Sequence, residues 1–364
     1  MQRVWKSCYE KQGLTRRKID GESRMTEKKQ KTVASAAEVA RLAGVSRSAV
    51  SRTFTPGASV SADTRRRVME AAETLNYHVN HLARGLSNEK SRPVCLLGAN
   101  LDAPYQASLL DAITQKLQQA GRAVMVINTS GDEASAEAAL RQTLNYRASA
   151  TVVLSGTPQA SLVQSCIDSG QHLILVNRAG QFDGADHITI DYRSAMEDAC
   201  YTLAQAGCES LAIISSTAQS PSLMARERFF HEAAKAANLS CDIHRLGPTS
   251  YETGVETAKR LLPYRNRPDG VLCVTDLIAC GFMDAARQEF KLRIPEDLCV
   301  VGFDNIPQAS WLSYQLTTFR QPLDDMAHAI VSLLEKGKLE GAQDRHVLTA
   351  PIEWRQSVRP ARVV

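Results

Sequence analysis

With 364 residues, 44% of them hydrophobic and 23% charged, the chain is too long for one small domain and suits a soluble protein of two or three units with full cores. It has no apolar run of about 18 residues, which argues against a transmembrane helix, and its polar, charged start argues against a signal peptide, so the expected setting is the cytoplasm. The net charge of +4 hides an asymmetry: residues 1–92 hold 19 Lys and Arg against 9 Asp and Glu, whereas the other 272 residues hold 24 against 30. A basic head on an acidic body points the head toward a polyanion.

Residues 1–31 are polar and basic without sustained periodicity and read as a disordered extension. Met25 offers an alternative start of translation just before the first organised segment. Residues 32–79 then read as a compact helical unit. Ser35 and Glu38 have the spacing of a capping box, and Val39, Ala40, Leu42 and Ala43 form the apolar stripe of a first helix that Gly44 ends. A second short helix starts near Ser46 and carries Ala49, Val50 and Phe54 before Thr55-Pro56-Gly57 breaks it. A third begins near Ser61, with Asp63 in its first turn and Val68, Ala71, Ala72 and Leu75 inward. Two short helices around Ala43-Gly44-Val45-Ser46 are the signature of a helix-turn-helix. On its second helix the polar residues Arg47, Ser48, Ser51 and Arg52 leave Ala49 and Val50 to pack, so one face is free to read DNA.

Residues 80–92 form a polar linker with an apolar island at Leu82, Ala83 and Leu86. A free linker explains it; so does a hinge helix that folds on DNA and wedges Leu86 into the minor groove. From Pro93 on, apolar strands alternate with helices. Strands are predicted at Val94–Ala99, Ala123–Ile127, Thr151–Leu154, Leu173–Val176, Leu211–Ile214, Gly270–Val274 and Leu298–Gly302. Helices are predicted at Leu109–Gln119, Ala134–Tyr146, Ala195–Gln205, Met224–Ala237 and Leu277–Phe290. This order predicts parallel α/β sheets, in two lobes given some 270 residues, with a ligand crevice at the carboxyl ends of the strands.

Motifs for the competing chemistry are absent. There is no phosphate-binding G-x-x-x-x-G-K-[ST] loop, no G-x-G-x-x-G and no G-x-S-x-G elbow. His231-Glu232-Ala233-Ala234-Lys235 has lysine where a zinc protease needs its second histidine, and the histidines lack metal-ligand spacing. The nine cysteines contain no Cys-x-x-Cys pair and read as reduced, buried small hydrophobes. Neither an enzyme nor a metal or cofactor site is expected. A transport-type binding protein shares the expected body but not the basic helical head.

Together these residues resemble the LacI/GalR family of bacterial transcription regulators over about residues 33–358. The resemblance rests on Glu38-Val39-Ala40, Ala43-Gly44-Val45-Ser46 and Val50-Ser51-Arg52, on Val60-Ser61-x-x-Thr64-Arg65, Leu75-Asn76-Tyr77 and Asn80, and on Ala83-Arg84 with Leu86. In the body it rests on Val300-Val301-Gly302-Phe303-Asp304-Asn305 and on residues 316–322, Leu-Thr-Thr-Phe-Arg-Gln-Pro. It implies an all-α helix-turn-helix head, a hinge, and a two-lobed body (residues 93–364) like a periplasmic binding protein. It also implies a repressor that binds a pseudo-palindromic operator as a homodimer or tetramer and is controlled by a small effector between the lobes. The absence of leucine heptads at the C-terminus favours the dimer. A phosphoprotein partner in place of the small molecule is the variant reading.

The DNA contacts implied are Arg47, Ser48 and Arg52 at bases, Thr55, Ser61 and Thr64 at phosphates, and Ser46, Ser51, Asn80, Ala83 and Leu86 beside them. Ala37 and Val79 depart from the family's usual tyrosine and proline. For the effector the resemblance implies Leu101 and Tyr105 after the first strand, Asn177 and Arg178, Arg228 with Arg226 nearby, Tyr251, Asp276, Phe303 and Asp304. Crossings between the lobes are expected near Ile190, Asp304–Ser310 and Gln321. Aspartates with an aromatic suit a hydroxylated ring and arginines suit an oxyanion, so the expected effector is a sugar, sugar acid or sugar phosphate.

Overall fold

The computed structural model describes residues 34–361 except 56, 79–91, 131–132, 155–159, 179–181, 183, 219 and 338–343. The chain divides into two compact units, Met1–Asn80 and His81–Val364. In the first, α1 (Ala36–Ala43), α2 (Arg47–Thr53) and α3 (Ala62–Thr74) close a small core of Val39, Ala40, Ala43, Val50, Val68, Ala71 and Ala72. Each helix begins on a serine that accepts from the amide three residues on: Ser35 from Glu38, Ser46 from Ala49 and Ser61 from Thr64. At Ser35 the box is reciprocal, because Glu38 accepts from the Ser35 amide at 2.7 Å. Gly44 ends α1 at φ 63°, so the chain turns within three residues and Val45 packs into the core. Arg65 clamps α3 to α2 by donating to the Thr53 carbonyl at 2.8 Å.

The second unit is built on two six-stranded sheets. The first lobe has the order β11-β5-β4-β3-β1-β2, from β1 (Val94–Ala99), β2 (Val124–Thr129), β3 (Ala150–Val153), β4 (His172–Val176), β5 (Ala185–Ile190) and β11 (Arg345–Leu348). The second has the order β12-β10-β9-β8-β6-β7, from β6 (Ser210–Ser215), β7 (Ser240–Arg245), β8 (Gly270–Cys273), β9 (Cys299–Asp304), β10 (Thr317–Arg320) and β12 (Ile352–Glu353). All pairings are parallel except β10 with β12. Helices cover the faces, so β1, β3, β4, β8 and β9 are buried throughout, which is why they read as unbroken apolar runs.

The helices of this unit are α4 (Pro104–Gln119), α5 (Glu133–Asn145), α6 (Ala160–Asp168), α7 (Tyr192–Gln205), α8 (Pro221–Ala236), α9 (Tyr251–Leu261), α10 (Asp276–Gln288) and α11 (Leu323–Lys336). Among the described residues no helix is long and apolar enough to cross a membrane. In each lobe the first strand sends one connection to its left-hand neighbour and the next to its right. Strand order therefore reverses between β1 and β3 and between β6 and β8, and a crevice opens at their carboxyl ends.

The chain passes between the sheets after β5, after β10, and again from β11 to β12. After β10 it returns to the first lobe as α11, which packs on α4. The expected crossing at Asp304–Ser310 is corrected: that segment leaves β9, makes a 3-10 turn at Pro307–Ser310 and re-enters the same sheet as β10, in parallel register with β9. The third crossing is Leu348–Ile352.

Gly44→Ala forces a Cβ residue into the left-handed region, at a cost of about 1–2 kcal/mol. Hydrogen exchange of the Val39, Ala40 and Val50 amides is expected to speed up about tenfold; an unchanged rate would show that the turn does not hold the head together.

Candidate DNA-reading face and effector cavity

In the head, Val50 and Thr53 are the buried side of α2, and Thr53 further secures the helix by donating to the Ala49 carbonyl at 2.9 Å. That orientation leaves Arg47, Ser48, Ser51 and Arg52 exposed. Arg47 and Arg52 make no hydrogen bond or ion pair among the described residues, whereas Arg66 and Arg67 on α3 are paired with Asp63. Ser46 and Ser61 serve as N-caps, and Thr55 donates to the Ser51 carbonyl at 2.8 Å. Thr64 is half-buried and takes the Ser61 hydroxyl at 2.9 Å. Asn80, Ala83 and Leu86 lie outside the described residues.

In the body, a cavity of about 620 Å³ lies where the strand ends of both sheets meet, a size that suits a small ligand. The first lobe contributes Asn100 and Ala103–Gln106 after β1, Leu154 after β3, and Asn177 and Arg178 after β4. The second contributes Ser220–Leu223 and Arg226, Thr249 after β7, Thr275 and Leu277 after β8, and Asp304 and Ile306 after β9. Gln321 and Tyr192, each just past a crossing, complete the wall.

A hydrogen-bonded line runs across this cavity. The Tyr105 hydroxyl at the start of α4 donates to Gln321 Oε1 at 2.8 Å. Gln321 Nε2 donates to Asp304 Oδ1 at 2.6 Å, and Arg226 Nη1 lies 3.4 Å from the same oxygen. Arg226 is only 3% exposed. Its guanidinium lies 3.8 Å over the Phe303 ring, and its Nη1 donates to the Val274 carbonyl at 2.6 Å. Burial raises the Asp304 carboxyl above the ordinary range, with Arg226 and Gln321 pulling it back. Arg178, inside the wall, donates to the carbonyls of Val176 and Leu154 at 3.0 Å each. Burial lowers its pKa, partly offset by Tyr192 and Tyr105.

Behind the wall Asp276 is fully buried and accepts from Thr318 Oγ1 at 2.5 Å and from the Ile306 amide at 2.9 Å. Burial, then the neighbouring Asp304 charge, raises its pKa. Gly302 makes room for it, since a Cβ there would stand 2.1 Å from Asp276 Oδ1. Asp276 thus fixes the turn that carries Asp304 and does not itself face the cavity. Asn177, at φ 52°, presents its side-chain oxygen to the Ile190 amide at 3.2 Å and so ties the end of β4 to the first crossing.

Of the residues expected from sequence, the structure brings Tyr105, Asn177, Arg178, Arg226 and Asp304 to the wall. Phe303 lies behind it as the platform under Arg226, and Leu101 is half-buried in the turn before it. Arg228 is corrected. Two residues along a helix lie about 200° apart, so Arg226 and Arg228 cannot both face the cavity. Glu227 sets the phase: it is buried, takes the Ser215 hydroxyl, and accepts from Arg245 Nε at 2.7 Å. Arg228 then points to solvent, 64% exposed, pairing with Glu232 and lying on Phe229. Tyr251 is corrected too, because its hydroxyl donates to Asp284 at 2.7 Å on α10, away from the wall. The tyrosines at the cavity are Tyr105 and Tyr192. Sequence reasoning missed Gln106, Tyr192, Ser220, Ser222, Thr249, Thr275 and Gln321 as wall residues. Gln321 alone carried a signal, since it stands in the quoted 316–322 motif.

Residues 35–80 match the bacterial regulatory proteins of the lacI family, and residues 201–358 match the periplasmic binding protein-like domain. The chain is 27% identical over 327 residues to catabolite control protein A of Priestia megaterium, covering 88% of this chain and 98% of that protein. It is 28% identical over 319 residues to the ribose operon repressor of Haemophilus influenzae, covering 86% and 95%. Among solved structures, the lac repressor dimer bound to operator and the anti-inducer ONPF matches with a TM-score of 0.78 at 22% identity, over 90% of this chain and 100% of that one, which shows a shared fold. The chain thus carries a regulatory domain of the lacI type at residues 35–80 and a periplasmic binding protein-like domain at residues 201–358, and over most of its length it is similar to repressors and control proteins of that kind.

Proposed function

We propose that this protein is a sequence-specific transcription repressor that binds an inverted-repeat operator as a homodimer, in the cytoplasm where its DNA is, and is released or recruited by a small hydroxylated effector held in the cavity between its lobes. The observation that carries the reading is the outer face of α2, where Arg47, Ser48, Ser51 and Arg52 stand exposed over a packed inner face. An arginine on such a helix reads a guanine edge with two hydrogen bonds, and serines reach bases or phosphates. Ser46, Thr55, Ser61 and Thr64 at the helix ends are proposed as phosphate contacts, and Asn80, Ala83 and Leu86 as minor-groove contacts.

The relatives support this reading, since the one from Haemophilus is named a repressor and the lac repressor dimer was solved on its operator. They also set the chain apart from enzymes. A cellobiose complex of a regulator called CelR, similar in fold at a TM-score of 0.65, supports a sugar-like ligand for the cavity. A ligand that touches Tyr105 on one lobe and Arg226 or Asp304 on the other binds one lobe orientation better than another. It shifts the balance between them by that difference in affinity.

Selection of genomic fragments by the purified protein at fixed salt is expected to return one short inverted repeat, whereas recovery without sequence preference would overturn the reading. Arg52→Ala is expected to weaken operator binding by about 1–3 kcal/mol and to relax the preference at one position of each half-site; a uniform loss across sequences would make it a phosphate contact. In operator-release titrations Tyr105→Phe is expected to weaken the effector response about 2- to 10-fold, the worth of one hydrogen bond. Arg228→Ala should leave that response unchanged. The reverse outcome would place the effector on the outer face of α8.

A further inference from the structure

The second lobe holds a pair of cysteines at the end opposite the cavity. Cys299 is the first residue of β9, whose last residue is Asp304 on the cavity wall. Cys208 lies on the turn between α7 and β6. Both are buried, and their thiols are hydrogen-bonded to each other. β8 runs between β6 and β9, and its residue beside Cys299 is Gly270. A Cβ there would stand 2.9 Å from Cys208 Sγ, so the missing side chain leaves the space in which one sulfur reaches the other.

Arg359, in the C-terminal segment, contacts both sulfurs. Its Nη2 donates to Cys208 Sγ at 3.2 Å, and its backbone amide donates to Cys299 Sγ at 3.4 Å. Its Nε donates to the Ala206 carbonyl at 3.1 Å, and its Nη1 to those of Pro295 and Glu296 at 3.0 and 3.1 Å, so the guanidinium is held in place. A cation in contact with a thiol favours its thiolate. The hydrogen bond from Cys208, with the amide and charge of Arg359, holds the Cys299 thiol below the usual cysteine range against the pull of burial. That same hydrogen bond, and then burial, makes Cys208 keep its proton. Elsewhere Cys95, Cys166, Cys200, Cys241, Cys273 and Cys280 are raised chiefly by burial, which makes them poor nucleophiles.

We propose that Cys208 and Cys299 form a redox site that a peroxide converts to a disulfide, with Cys299 the attacking sulfur and Arg359 its positioning residue. The Cys299 thiolate attacks one peroxide oxygen. The O–O bond breaks, hydroxide leaves, and Cys299 becomes a sulfenic acid. The Cys208 thiol gives its proton to that hydroxide, making water. The Cys208 sulfur then attacks the Cys299 sulfur: the S–S bond forms, the S–O bond breaks, and the second hydroxide takes a proton from solvent. The two sulfurs together lose two electrons and the peroxide gains them. A thiol reductant reverses the step, so in a reducing compartment the bond is transient and reports oxidant. Peroxide is little larger than water, and Arg359 is itself partly exposed. The bond ties the start of β9 to the turn before β6.

The test uses the full-length protein, fully reduced, exposed to hydrogen peroxide in modest excess, then alkylated under denaturing conditions and digested for mass mapping. The expected result is a peptide pair joined through Cys208 and Cys299, lighter by two hydrogens and restored by dithiothreitol, while Cys95, Cys166, Cys200, Cys273 and Cys280 alkylate in full. Cys208→Ser is expected to stop at the Cys299 sulfenic acid, which dimedone traps. Arg359→Gln is expected to slow the cross-link about tenfold at neutral pH and to move the midpoint of its pH–rate profile upward by about one unit, a shift that loosened packing does not produce. The wild-type map decides the pair without either variant: if Cys208 and Cys299 alkylate as fully as the other cysteines after peroxide, or if each is oxidised without joining, the proposal is overturned. An unchanged midpoint in Arg359→Gln overturns the role given to that arginine.

Discussion

The ion pair of Arg226 with Asp304, extended through Gln321 to Tyr105, is the contact on which the effector-binding unit depends. It joins a helix start in one lobe to a strand end in the other, and Gln321 in its middle lies on a crossing between the lobes. A charge pair this deep costs desolvation and holds only where each remaining group is satisfied. The surroundings meet that condition for the carboxylate: Asp304 is held on a turn braced from beneath by Asp276, Thr318 and the Ile306 amide, over the gap left by Gly302. They do not meet it for Arg226, whose Nε lacks a partner. A ligand is the natural completion of such a line. Because the line touches both lobes, completing it bears on how they are held.

The head solves a different problem with short-range means. Its core is small, and its stability leans on serine caps, a glycine turn and the Arg65 clamp. These local devices fix α2 from beneath and leave Arg47 and Arg52 on its outer face without a hydrogen bond or ion pair among the described residues.

Local devices are also what sequence shows best. The Ser35 and Glu38 box, Gly44 and the stripe through Val39 and Ala43 each announce themselves within a few residues, and the head was legible for that reason. The strands β1, β3, β4, β6, β8 and β9 were legible because burial makes them apolar runs, whereas β5 (Ala-Asp-His-Ile-Thr-Ile) and β10 (Thr-Thr-Phe-Arg), also inside their sheets, carry polar residues and were not. Two of the edge strands were not legible either: β7 (Ser-Cys-Asp-Ile-His-Arg) and β11 (Arg-His-Val-Leu) are half exposed, carry charge, and pair only through tertiary contact, whereas the edge strand β2 keeps the apolar run that predicted it. The 3-10 turn after β9 was read as a crossing because the return to the same sheet depends on pairing with β10, which no local signal encodes. At the site, strand ends gave away Asn177, Arg178 and Asp304. The phase of α8 was hidden, since Arg226, Glu227 and Arg228 are equally polar on paper. Only Ser215 and Arg245, distant in sequence, determine that Glu227 turns inward and Arg226 toward the cleft.

The central claim is that the cavity and the DNA-reading face are coupled. Coupling between two binding equilibria is reciprocal: whatever factor the effector imposes on operator affinity, the operator imposes on effector affinity. The most direct measurement is therefore the dissociation constant of the bound effector with and without saturating operator DNA. The account expects the two constants to differ by the same factor by which the effector changes operator affinity. Equal constants would contradict it, and would make the cavity a binding site without influence on the DNA.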